Sequence, residues 1–207
     1  MNNFVETLIR LAAVIVAITV HEFAHAVAAA SCGDDTAKSQ GRISLNPARH
    51  FDPVGFAMIV FTSFAGFGIG WGKPVMVNPM RFRNMRWDNV KVSAWGPISN
   101  IIQATVCAII LKVFGHILVM ISPMLFEFFL WMVLVNIGLA CFNLIPLPPL
   151  DGSHILAGFL PAPQARQYAN FARQYGMALL LVLIMTGGIH WLVAPPMRFL
   201  EGMLLRI

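Results

Sequence analysis

Of the 207 residues, 58% are hydrophobic and only 11% are charged, and the mean hydropathy is +0.74. A water-soluble domain is roughly 25% charged, so this chain lacks the polar surface to cover itself in water and is expected to lie in a membrane. The net charge of +5 is modest, and with no basic patch interleaved with aromatics the chain is not expected to bind nucleic acid.

Residues 4–30 form the first apolar run, long enough for a helix of about 40 Å that spans the hydrocarbon core. Inside it, ITVHEFAHAV sets His21 and His25 one turn apart on one helix face, where both imidazoles reach a single metal ion. Glu22 lies beside that face, free of ligation and able to take a proton from water activated there. The spacing His-Glu-x-x-His is that of zinc hydrolases, here set among apolar residues. Ala28, Ala29 and Ala30 end the run as a signal peptide would, but Glu6 offsets Arg10 and no positive n-region precedes it, so the segment is expected to be retained. Gly33 is the expected C-cap. Residues 31–52 carry Lys38, Arg42 and Arg49, against Arg10 alone at the opposite end of the helix. That bias puts the metal motif towards the cytoplasmic side.

Residues 53–67 are apolar but short, suited to a re-entrant or packed segment as much as to a full span. The following GWGKPVMVNP, bracketed by Pro74 and Pro79, predicts a short extended, β-hairpin-like insertion near residues 70–80. It either borders the site and offers an edge to an extended substrate, or is an interfacial loop anchored by Trp71. Arg81, Arg83, Arg86 and Lys91 form the densest basic cluster, a loop facing anionic headgroups. Residues 92–114 and 125–144 are the next spans, the first loosened or kinked by Gly96-Pro97 near its start, with Asn100 one turn on. In NLIPLPPLDGSHIL, Pro146, Pro148 and Pro149 break the helix and leave Asp151 on irregular backbone beside an apolar span, a costly place for a carboxylate. A polar connection, a last span over 175–193 and an amphipathic tail over 195–207 follow. Cys32, Cys107 and Cys141, odd in number and widely spaced, suggest neither disulfides nor a thiolate metal site. The expected fold is an all-α polytopic membrane protein of about five to six transmembrane or re-entrant helical segments. It is read as one membrane domain over 1–207, with a catalytic core over about 4–160 and a C-terminal helix and tail over about 161–207.

A catalytic zinc takes three protein ligands and keeps a position open. His21 and His25 supply two, and the candidates for the third are Asp151, His50, His154, His116, His190 and a few carboxylates. Charge favours Asp151: with Glu22 it offsets the +2 of zinc in a low-dielectric place, which a third neutral imidazole would not. Asn143 and Asn100 are polar side chains at membrane depth, suited either to stabilise an oxyanion or to hydrogen-bond between helices.

HEFAH inside a span, GPISN at 96–100 and NLIPLPPLDG at 143–152, with GRISLNPARHFDPVG and GWGKPVMVNP between, resemble the site-2 proteases, intramembrane zinc metalloproteases. The resemblance implies His21, His25 and Asp151 as ligands of one zinc per chain and Glu22 as catalytic base. It also implies Asn143 near the substrate carbonyl, and Asn100 ordering the core or the substrate strand. It further implies a three-helix catalytic core, a membrane-spanning protein as substrate in regulated intramembrane proteolysis, and residence in the inner membrane of a prokaryote. The chain looks like a compact member with no room for a PDZ or CBS domain. The alternative is a non-catalytic protein that binds or carries metal across the membrane, for which Glu22 would have no use.

Overall fold

The computed structural model describes residues 3–64 and 72–205. Among them the chain is helical, with α1 (Asn3–Ser31), α2 (Thr36–Ser39), α3 (Pro53–Phe64), α4 (Met85–Ile121), α5 (Pro123–Asn143), α6 (Asp151–Phe159), α7 (Ala162–Met185) and α8 (Gly188–Leu205). Three helices, α1, α4 and α5, are each long and apolar enough to cross a membrane. They pack on one another as the core. Their contact is made close by small residues: Ala13, Ala17, Ala104 and Ala140 are fully buried, with Met132, Val133 and Ile137 filling between them. Lipid offers no hydrophobic drive to hold helices together, so close backbone approach over small side chains is what binds such a bundle.

The ends of these helices follow from local chemistry. Gly33, at φ +102°, closes α1 in a left-handed turn, and the N–H of Asp34 reaches back to the carbonyl of Ala29 at 3.0 Å. Asn84 caps α4 by accepting from the N–H of Trp87, while Asp88 accepts from the N–H of Asn84. Helix α4 begins well before the expected span because of this cap, and it runs through Pro97 to Ile121 as one helix of 37 residues.

The C-terminal part differs from the span expected over 175–193. Helix α7 ends at Met185, Gly187 takes φ +72°, and α8 leaves at an angle of 79°. A left-handed residue cannot continue a right-handed helix, so the Gly187-Gly188 pair breaks what hydropathy alone reads as continuous.

No strand forms among the described residues. Of the expected hairpin-like insertion, residues 70 and 71 lie outside them. Residues 72–78 run without helix or strand pairing, apart from a single antiparallel bridge from Gly72 to Phe51. This segment is nonetheless fixed at several points. The N–H of Lys73 donates to the carbonyl of His50 at 2.7 Å, and the buried guanidinium of Arg42 donates to the carbonyls of Lys73 and Arg49. At its far end the N–H of Asn78 donates to Asp34 Oδ2 at 2.6 Å. Burial alone would push the Asp34 carboxyl up, but hydrogen bonds from Asn78 and Thr36, with Arg81 nearby, outweigh it and hold the carboxyl below its ordinary value. A lowered folded value means that the stabilisation is complete above the unfolded value of about 4 and is lost as pH falls through the folded one. Thermal unfolding followed against pH is therefore expected to show an acid-side loss that Asp34→Asn flattens.

Candidate active site

Helix α1 carries His21 and His25 on the face turned towards α4 and α6, both more than nine-tenths buried. The loop of Pro146, Pro148 and Pro149, containing the cis peptide Pro148–Pro149, brings the chain back so that α6 starts at Asp151 beside them. Gly152 permits this return: a Cβ there would fall on the backbone of Leu144 and Ile145. Arg86 of α4 ties down the other end of α6, donating to the carbonyls of Gly158 at 2.6 Å and Leu160 at 3.0 Å. Those carbonyls end a helix and have no partner within it, so a cation is well placed there. Arg86→Ala is expected to cost about 1 kcal/mol of stability, as an exposed charged hydrogen-bonding group, and to lower metal affinity by letting α6 drift. Thermal melts with and without metal separate the two effects.

The ligand atoms of His21, His25 and Asp151 all lie within 4.8 Å of one another, and no other such group of three occurs among the described residues. The two Nε2 atoms are 3.0 Å apart, and each lies 3.3 Å from an oxygen of Asp151. A tetrahedral site with bonds of about 2.0–2.1 Å has edges of about 3.3 Å, so the spacing suits zinc. The protonation pattern suits it as well. His25 Nδ1 lies 2.8 Å from the carbonyl of Val92, which only accepts, so this nitrogen carries the proton and Nε2 offers its lone pair. Asp151 Oδ2 is buried with no well-formed hydrogen bond. Each carboxylate oxygen of Asp151 faces one imidazole Nε2 at 3.3 Å. Lone pairs and a negative charge facing one another in a buried place call for a cation.

Glu22 is not one of the three clustered residues. Its Oε2 accepts from the N–H of Val75 at 3.0 Å, which joins α1 to the 72–78 segment. Glu22, the three clustered residues, Asn143 and His154 all line one cavity of about 560 Å³. Gly72, Pro74, Val75 and Val77 form one wall of it, and Leu139 and Phe142 another. A wider hollow of about 710 Å³ along α3 is walled by Phe56, Ala57, Val60, Phe61 and Phe64, with no group able to bind metal or move a proton. Chemistry decides between the two, and only the smaller is equipped for it.

Asn100 stands elsewhere than the cavity wall. It is fully buried behind His21, with Oδ1 2.6 Å from His21 Nδ1. His50 is buried under the 72–78 segment, its Nε2 at the carbonyl of Ser44, and His116 and His190 do not line the cavity. Two contributors escaped the sequence. Gly96 faces the imidazoles so closely that a Cβ there would strike both His25 and His21. Asn136, fully buried on α5, contacts Asn100 at 2.7 Å. A lone amide in mid-span was the available signal for the second. The first stood at the head of GPISN, but nothing in that stretch pointed to a clearance for two imidazole rings.

A buried His-His-Asp cluster with a carboxylate beside it, inside a bundle of apolar spans, defines the class of a metal-dependent hydrolase built within a membrane. Comparison with known proteins agrees. The model of "Peptidase family M50" matches residues 115–184, the stretch containing Asp151. Among its relatives are proteins with the printed name "Putative zinc metalloprotease". YwhC of Bacillus subtilis is 41% identical over 176 residues, 83% of this chain and 78% of that protein. Rip2 of Mycolicibacterium smegmatis is 26% identical over 85% of this chain and 66% of its own length. Rip2 of Mycobacterium tuberculosis strain H37Rv is 27% identical over 86% and 70%. No solved structure matches the chain significantly. The chain belongs to peptidase family M50, the site-2 proteases.

Proposed function

We propose that this protein is an intramembrane zinc metalloendopeptidase that hydrolyses peptide bonds of membrane-spanning proteins. The observation that carries the reading is the convergence of His21, His25, Asp151 and Glu22 on one cavity between apolar helices. His21, His25 and Asp151 hold one zinc ion, which when bound supplies Lewis acidity to polarise a carbonyl and make water acidic. Glu22 takes the proton of the attacking water and delivers it to the leaving amine. The N–H of Val75 holds the Glu22 carboxylate in place, and Asn143 on the cavity wall donates to the developing oxyanion. The backbone of 74–78, beyond the bridge from Gly72 to Phe51 and without strand pairing among the described residues, runs beside the site as an edge for an unwound substrate.

The site faces the cytoplasmic side of a prokaryotic inner membrane. Support comes from Lys38, Arg49, Arg81, Arg83, Arg86 and Lys91, gathered about the C-terminus of α1 and the start of α4, against few cations at the opposite ends. A substrate helix has every backbone group bonded internally and must unwind before a carbonyl is exposed. Cleavage of a reconstituted single-span protein, mapped by mass spectrometry, is expected inside or at the edge of its span. Replacing Gly, Asn or Pro near the cut by Leu should slow it at least several-fold; equal rates for both substrates would count against the reading.

A further inference from the structure

We propose that Asn136, on α5 and out of reach of substrate, is a positioning residue that sets His21 for metal binding through Asn100. The inference rests on the reading of His21 as a metal ligand.

The hydrogen-bond directions are fixed from the far end. Asn136 Nδ2 lies 2.8 Å from the carbonyl oxygen of Met132, which has only lone pairs to offer, so the amide nitrogen must point there. Asn136 Oδ1 then faces Asn100, and it accepts from Asn100 Nδ2 at 2.7 Å. A reversed Asn100 would set two oxygens against each other at that distance. The carbonyl of Ala17, 3.5 Å from the same Nδ2, favours the same sense. Asn100 Oδ1 therefore faces His21 and accepts from its Nδ1, 2.6 Å away. A proton on Nδ1 leaves Nε2 with its lone pair, which is the form that binds metal. Met132, Asn136, Asn100 and His21 form a chain across α5, α4 and α1 in which one backbone carbonyl decides the tautomer of an imidazole. Both amides are fully buried among apolar helices, where no water can substitute for a missing partner.

Without Asn136, the Asn100 amide loses the partner that orients it. It can then rotate to donate to His21 Nδ1, which shifts the imidazole proton to Nε2 and competes with the metal. Loss of such an outer partner typically weakens metal binding about 10–100-fold.

The test titrates the full-length, metal-depleted protein in detergent with Co²⁺, reading affinity and the visible ligand-field bands. Circular dichroism checks that each variant is folded. Asn136→Leu is expected to bind Co²⁺ about 10–100-fold more weakly, with altered bands. Asn136→Asp, whose buried neutral acid offers the same acceptor and donor, is expected to stay within a few-fold of wild type. In an Asn100→Ala background the Leu change is expected to add nothing. Where the Leu variant does not fold, Asn136→Ala is read the same way. Wild-type affinity and bands in Asn136→Leu would overturn the proposal. So would an Asp variant as weak as the Leu one, or an undiminished effect in the Asn100→Ala background. Wild-type protein that takes up no Co²⁺ would instead sink the metal site itself, and the relay with it.

Discussion

Glu22→Gln is expected to keep its zinc and lose cleavage. The substitution preserves shape, and the amide oxygen still accepts from the N–H of Val75 as the Glu22 carboxylate does. No ligand atom is touched, because Glu22 is not among the clustered His21, His25 and Asp151. What disappears is the basic oxygen that receives the proton of water, a contribution worth about 10²–10⁴ in rate. Zinc content by elemental analysis should remain near one per chain while turnover of a membrane-embedded substrate falls by that factor. Cleavage at the wild-type rate with zinc retained would show that another group is the base, and His154 on the same cavity would be the first to examine.

Gly96→Ala is expected to cost metal instead. Alanine is the better helix former by about 1 kcal/mol, so on propensity alone the change should strengthen α4. The gain is outweighed locally, since the new Cβ would occupy the space of the His25 and His21 rings. The rings must rotate out of the positions set by Val92 and Asn100, which breaks the spacing of the ligand set. Zinc affinity should fall about 10–100-fold, in line with the loss of outer-shell orientation at other metal sites, while helicity stays unchanged. A Gly96→Ala protein with full zinc and normal turnover would mean that α4 can back away from α1 at no cost.

The parts of this protein legible in its sequence are those where one property dominates locally. Uninterrupted apolar runs announced α1, α4 and α5, because nothing else in a chain spans lipid. HEFAH declared its two imidazoles through helical period alone, and charge balance singled out Asp151, which opens helix α6 rather than lying on irregular backbone. The rest depends on what meets in space. Gly96 looked like a weak point in a helix and is a clearance for two rings. For Asn100 the sequence left open an oxyanion role or a bond between helices, and packing decides for the second, because the face of α4 that meets α1 sets it behind His21. Arg42 and Asp34 resembled ordinary loop charges, yet both are buried and hold the 72–78 segment over the site. The break between α7 and α8 was written in Gly187-Gly188, but a hydropathy window averages over two glycines.

The most direct test is the zinc dependence of cleavage in liposomes holding the purified protein and a single-span substrate. Stripping zinc with a chelator should abolish cleavage, and stoichiometric zinc should restore it in the wild type but not in Asp151→Asn. Cleavage that continues after zinc is removed, or a protein that never cleaves and instead passes zinc across the bilayer, would contradict the account.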